Sequence, residues 1–179
     1  LIACYTGACN VSNTFWSLLV TEKLGIAAEN LSIFSTIKSL LMLVAYFTIV
    51  PRLRLDNFKN PLITGLGLLI CQQLLMLAMP AGAYWLVMLA VVVEAAALSM
   101  LNPLTSSIQM IAMDREERAR MLGFFYAICL MVTSPLGSIA GALAQINRSL
   151  PFVLNLVLTS AAVFLSIRIW REFKPGDNR

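Results

Sequence analysis

The chain has 179 residues, of which 59% are hydrophobic and 12% charged, with a mean hydropathy of +0.82 and a formal net charge of +4. Soluble domains average about 45–50% apolar and about 25% charged residues, so the composition excludes a soluble enzyme, a disordered chain and a secreted disulfide scaffold, and it specifies an integral membrane protein. There is no histidine, which removes imidazole catalysis and histidine metal sites. The four cysteines, Cys4, Cys9, Cys71 and Cys129, lie in apolar stretches without CxxC spacing and read as small packing residues. Neither enzymatic activity nor a cofactor is expected.

Six apolar runs follow one another, at about residues 1–20, 31–50, 62–79, 84–113, 121–144 and 152–170. Each is near or above the roughly 20 residues a membrane-crossing helix needs. Only helices or closed barrels satisfy the backbone in lipid, and runs this long and uniformly apolar are not barrel strands. The expected fold is therefore all-α, a polytopic membrane protein forming one six-helix transmembrane domain. The first run starts at Leu1 itself, with no basic leader region, and is read as continuing from a missing upstream part.

Ten of the 13 basic residues fall in the second–third loop, the fourth–fifth loop and the C-terminal tail. The opposite side holds only Lys23 and Arg148, and Lys38 lies within a span. Basic residues concentrate on the cytoplasmic side, so the C-terminus is expected in the cytoplasm, and a bacterial cytoplasmic membrane is the expected location. Because these bases are divided among three loops, no nucleic-acid partner is expected.

Several stretches, in order, resemble the C-terminal half of a major facilitator superfamily transporter, spans seven to twelve. They are LGIAAENLSIFSTI at the entry to the second span, the basic loop PRLRLDNFKNPLITG, NPLTSSIQMIAMDREERARMLG leaving the fourth span, and SPLGSIAG in the fifth. The basic loop departs from the family's G-x3-D-R-x-G-R-K pattern, with Arg52 in the place of glycine, although Asp56 and Lys59 fill an acidic and a basic place. The resemblance implies secondary transport of a small solute, with a proton or sodium as coupling ion. It also implies alternating access between this half and a missing N-terminal half. The alternative is a self-contained six-helix channel or carrier acting as a homodimer. The isolated half is expected to associate with membrane lipid and to self-associate.

Helical period places Thr6, Asn10, Asn13 and Ser17 on one face of the first span, with Tyr5, Ser12 and Trp16 on the adjoining face. Amides and hydroxyls at membrane depth face protein or water rather than lipid, so these groups are read either as a substrate-facing wall or as interhelical packing contacts. Ser99 and Asn102 in the fourth span are further cavity candidates, and Pro103 beside them is expected to bend that helix. Pro135, Gly137 and Gly141 give the fifth span a bend or a GxxxG packing face. Asp56, Arg115, Glu117 and Arg118 are candidates for cytoplasmic ion pairs that hold one state closed.

Two ionisable residues, Lys38 and Glu94, lie within spans. A charge at the bilayer centre costs at least about 2.5–3.5 kcal/mol, so each must be paired, neutral or hydrated. Counting from the span starts at about 1.5 Å per residue puts Lys38 roughly 10 Å deep and Glu94 roughly 15 Å deep, close enough to pair. Glu94 is then either a proton carrier biased by Lys38 or half of a static pair. For the topology, single cysteines at Asn57 and Glu117 are expected to label from the cytoplasm and one at Ala27 from outside. Labelling of Ala27→Cys from the cytoplasmic side alone would reverse the orientation.

Overall fold

The computed structural model describes residues 2–23, 25, 28–49, 51, 59–80, 83–111 and 117–172. These residues form six helices and no strand. The helices are α1 (Ile2–Leu18), α2 (Ala28–Ile49), α3 (Lys59–Ala78), α4 (Tyr84–Ile111), α5 (Arg118–Ile146) and α6 (Leu150–Glu172). Five of them, α2 to α6, are long and apolar enough to cross a membrane. The exception is α1, expected as the first span. Its regular part has 17 residues and continues into a wider π turn over Leu19–Lys23. It also carries the polar residues Thr6, Asn10, Ser12, Asn13, Thr14 and Ser17.

Large apolar side chains cover the outside. Trp85 is 88% exposed, Met131 79% and Phe47 76%, an arrangement that water would penalise and lipid would not. The least enclosed apolar helices are α2 and α5.

Inside, buried apolar side chains gather in two clusters. The first includes Leu19 and Val20 from the π turn that continues α1, Phe34 from α2, Met76 from α3, Val91 from α4 and Phe152 from α6. The second includes Tyr5, Leu62, Leu66, Ala97, Leu101 and Ala162. Cluster membership gives the helix directions. Along α1 and α3 the chain passes from the second cluster to the first, and along α4 and α6 from the first to the second. Helix α2 enters at the first cluster through Phe34, so it runs with α4 and α6. Between the clusters lie the buried polar residues Ser12, Gln73, Glu94, Asn155 and Thr159.

The helix contacts form a near-symmetric set. The extensive pairs are α3 with α4, α1 with α6, α2 with α4, α3 with α6 and α1 with α5, with a smaller contact between α5 and α6. Exchanging α1 with α4, α2 with α5 and α3 with α6 turns α3–α4 into α6–α1, turns α2–α4 into α5–α1 and leaves α3–α6 unchanged. Only α5–α6 lacks a counterpart of similar extent. The exchanged partners α1 and α4, and likewise α3 and α6, run in opposite directions.

Close backbone approach occurs at glycines other than those expected. A Cβ on Gly7 would lie 2.8 Å from Leu136 Cδ1 of α5, and one on Gly65 would lie 2.8 Å from Leu101 Cγ of α4. A Cβ on Gly137 or Gly141 would meet nothing within 4 Å, so the GxxxG face of α5 is not a packing face against the described helices. Helices α4 and α5 continue through Pro103 and Pro135, where each ring removes the donor that would reach the carbonyl of Ser99 or Met131.

These contacts predict opposite behaviour for chemically identical changes. Gly65→Ala should destabilise the folded protein in detergent by about 1–3 kcal/mol through overpacking against Leu101. Gly137→Ala should leave stability within about 0.5 kcal/mol. Thermal or denaturant unfolding of the two variants side by side checks the difference.

Candidate functional site

The polar layer centres on an ion pair. Lys38 Nζ of α2 donates to Glu94 Oε1 of α4 at 2.7 Å, and it is the one ion pair among the described residues. The Glu94 side chain is 4% exposed and that of Lys38 22%. The pairing follows from where the charges sit. Glu94 lies midway along α4, between Val91 of one apolar cluster and Ala97 of the other, and an unpaired charge there would be costly. The long lysine stem allows α2, which is otherwise little enclosed, to bring its ammonium to that depth.

The second Glu94 oxygen, Oε2, is buried without a hydrogen-bond partner among the described residues. It belongs to a polar group that sequence reasoning missed. On α3, Gln73 Nε2 donates to Thr159 Oγ1 of α6 at 3.0 Å. The Thr159 hydroxyl in turn donates to the Asn155 carbonyl at 2.9 Å. Gln73, Asn155 and Thr159 are almost wholly buried. The available signal was that isolated amides in apolar runs must find polar company, together with the four-residue spacing of Asn155 and Thr159 on one face of α6.

Tyr5 and Asn102, both expected to line a cavity, hydrogen-bond to each other. Tyr5 Oη donates to Asn102 Oδ1 at 2.7 Å, and Asn102 Nδ2 donates to Tyr46 Oη at 3.4 Å. This chain ties α1, α4 and α2 together at the end of the second cluster. Tyr46 was not singled out from the sequence, where a lone tyrosine in an apolar span reads as an apolar residue.

Ser99 does not line a cavity. It is fully buried, and its hydroxyl bonds to the Ala96 carbonyl of its own helix at 2.8 Å. Trp16 is half-buried and packs against the first apolar cluster. Ser12 is buried, whereas Asn10, Asn13 and Ser17 are exposed and Thr6 is half-buried. The polar face of α1 therefore lies largely on the surface of the six-helix unit.

Asp56, between α2 and α3, and Arg115, between α4 and α5, lie outside the described residues. Glu117 is exposed. Arg118 Nη2 donates to the Met110 carbonyl at 3.0 Å, so Arg118 closes the end of α4 by hydrogen-bonding its backbone. Cations placed near helix C-termini interact favourably with the terminal carbonyls.

No family model matches the chain, and no curated protein or solved structure matches it. The chemistry of the site therefore rests on its own geometry: a buried carboxylate with one oxygen held by a lysine and the other facing buried amides.

If the pair is static, removing either charge alone leaves its partner buried and uncompensated, at a cost of about 3–5 kcal/mol. Lys38→Met and Glu94→Leu should each lower folded yield and unfolding temperature. The double variant should recover most of the loss, because a well-packed apolar replacement of a buried pair is close to neutral. Size-exclusion and thermal unfolding of the four proteins check this cycle, and additive losses in the double variant would show that the pair is not coupled.

Proposed function

We propose that the chain is the C-terminal six-helix half of a secondary transporter that moves a small solute by alternating access, in the manner of the major facilitator superfamily. The observation that carries this reading is the exchange pattern of the helix contacts. All but one of the contacts map onto one another when the two three-helix groups are exchanged, the partners α1 and α4, and α3 and α6, run in opposite directions, and nested inverted repeats of three helices are how each half of such transporters is built.

The surface of the unit adds support. The exterior, rich in large apolar side chains, carries Asn10, Asn13 and Ser17 exposed together on α1. Amides do not face hydrocarbon without cost, so this face needs either a protein cover or water. A six-helix partner half, with a solute path between the two halves, supplies both. The ordinary cytoplasmic membrane of a bacterium, with the C-terminus inside, fits the distribution of basic residues. The self-contained alternative covers the same face with a second copy of the chain.

In this mechanism Glu94 is the coupling group. When protonated it no longer needs Lys38 as counter-charge, and α2 is free to shift against α4. When ionised it recaptures the ammonium at hydrogen-bond distance. Binding and release of one proton thus bias two arrangements of the same helices, which is the requirement for coupling.

The test uses the full transporter in proteoliposomes. Glu94→Gln is expected to abolish pH-driven uphill uptake while leaving exchange down a gradient, because the amide imitates the protonated acid. Undiminished uphill uptake by a well-folded Glu94→Gln protein would remove Glu94 from the mechanism. A cysteine at Asn13 is expected to cross-link to the N-terminal half, and cross-linking to a second copy instead would favour the homodimer.

A further inference from the structure

Between the two apolar clusters is a cavity of about 20 Å³, whose lining includes Ser12 and Asn13 of α1, Gln73 of α3, Glu94 of α4 and Asn155 of α6. A buried water needs room of at least about 10–15 Å³, so the space admits one. Its polar walls are deeply buried: Gln73 is 2% exposed, Glu94 3% and Asn155 1%. Four of their atoms have no hydrogen-bond partner among the described residues, namely Glu94 Oε2, Gln73 Oε1, and both Oδ1 and Nδ2 of Asn155. Buried polar atoms left unmatched cost about 1–3 kcal/mol each, and here they converge on one small volume.

Their donor and acceptor roles can be assigned. The Thr159 hydroxyl spends its proton on the Asn155 carbonyl, so toward Gln73 it can only accept. That orients the Gln73 amide with its nitrogen on Thr159 and leaves Oε1 as an acceptor. The ionised Glu94 Oε2 is also an acceptor. The Asn155 amide offers one acceptor and a donor. The set therefore holds three acceptors and one amide donor, of which a ligand that donates twice and accepts once matches all but Asn155 Oδ1.

We propose that this cavity binds a single water molecule, which donates to Glu94 Oε2 and Gln73 Oε1 and accepts from Asn155 Nδ2. Three hydrogen bonds are the usual complement of a buried water. A monovalent cation fits less well on two grounds. Lys38 already neutralises Glu94 at 2.7 Å, and Glu94 is the one carboxylate lining the cavity, so a cation would add an uncompensated charge in a low-dielectric layer. It would also leave the Asn155 N–H without an acceptor.

The water does two things. It joins the Glu94 carboxylate to α3 and α6, so that with Lys38 the layer links four helices through hydrogen bonds. It also stands between Glu94 and Asn13, which lines the same cavity and is exposed on the polar face of α1. The water's second lone pair, unused by these three bonds, can accept a proton arriving from that face while the water gives one to Glu94 Oε2, leaving the water unchanged. This relay role rests on the transport reading, but occupancy of the site does not.

The experiment measures occupancy on the full protein, with a crystal or cryo-electron-microscopy map that resolves waters and a parallel thermal-shift series. The expected map has one discrete peak at about 2.7–3.2 Å from both Glu94 Oε2 and Gln73 Oε1, and the peak is lost in Asn155→Leu while the Lys38–Glu94 pair persists. The expected unfolding temperature is the same in sodium and choline chloride at equal ionic strength. The absence of a peak in the wild-type protein would overturn the proposal. So would stabilisation specific to sodium, which would identify a cation site. If Asn155→Leu does not fold, the wild-type map and the salt comparison decide the matter alone. Failure of Glu94→Gln to alter transport would leave these outcomes untouched.

Discussion

The need to place a charge pair at mid-depth in an apolar bundle organises much of the molecule. Glu94 is 3% exposed, and a carboxylate so enclosed has to be matched at hydrogen-bond distance. Lys38 does this from α2, a helix with little other enclosure. The ion pair therefore sets the height of α2 along α4. One helical turn of sliding is about 5.4 Å, enough to break a 2.7 Å contact. Above and below the pair, the two apolar clusters keep water out, and that exclusion makes the pairing strong and its loss expensive. Tyr5, Asn102 and Tyr46 repeat the arrangement at the far end of the second cluster, with hydrogen bonds in place of charges.

This arrangement also separates the two kinds of adhesion in the fold. Helices in lipid gain little from burying apolar surface against one another, and they associate through close packing and polar contacts. Both are visible here in distinct places. Gly7 and Gly65 let α5 and α4 approach closely, whereas the polar layer between the clusters connects α2, α3, α4 and α6. A layer of buried polar groups between two dry clusters is also the part of the bundle that a change of charge would affect first.

Much of this was legible in the chain. Apolar runs of span length appear because lipid leaves no other way to satisfy a crossing backbone, and five of the six expected runs qualify as spans. The Lys38–Glu94 pair was legible for the same reason: two opposite charges at similar depth in lipid have few alternatives. What stayed hidden depends on the angle each helix presents to its neighbours, which spacing along one helix does not reveal. Gly137 and Gly141 have the spacing of a packing face, yet no described helix lies opposite them. Ser99 satisfies itself on its own backbone. Gln73 and Asn155 are separated by nearly half of the chain, and the α3–α6 contact brings them to a common cavity.

The distance in sequence between the two charges has a consequence for biosynthesis. Lys38 precedes Glu94 by 56 residues. At about 5–20 residues per second, the ribosome delivers α2 to the membrane several seconds before α4 exists. During that interval the lysine has no carboxylate, and its long stem lets the ammonium rise toward the headgroups. Helix α2 would therefore first rest at a shallower height and be drawn to its final depth when Glu94 emerges. An insertion intermediate with α2 displaced toward one leaflet follows from the order in which the chain is made.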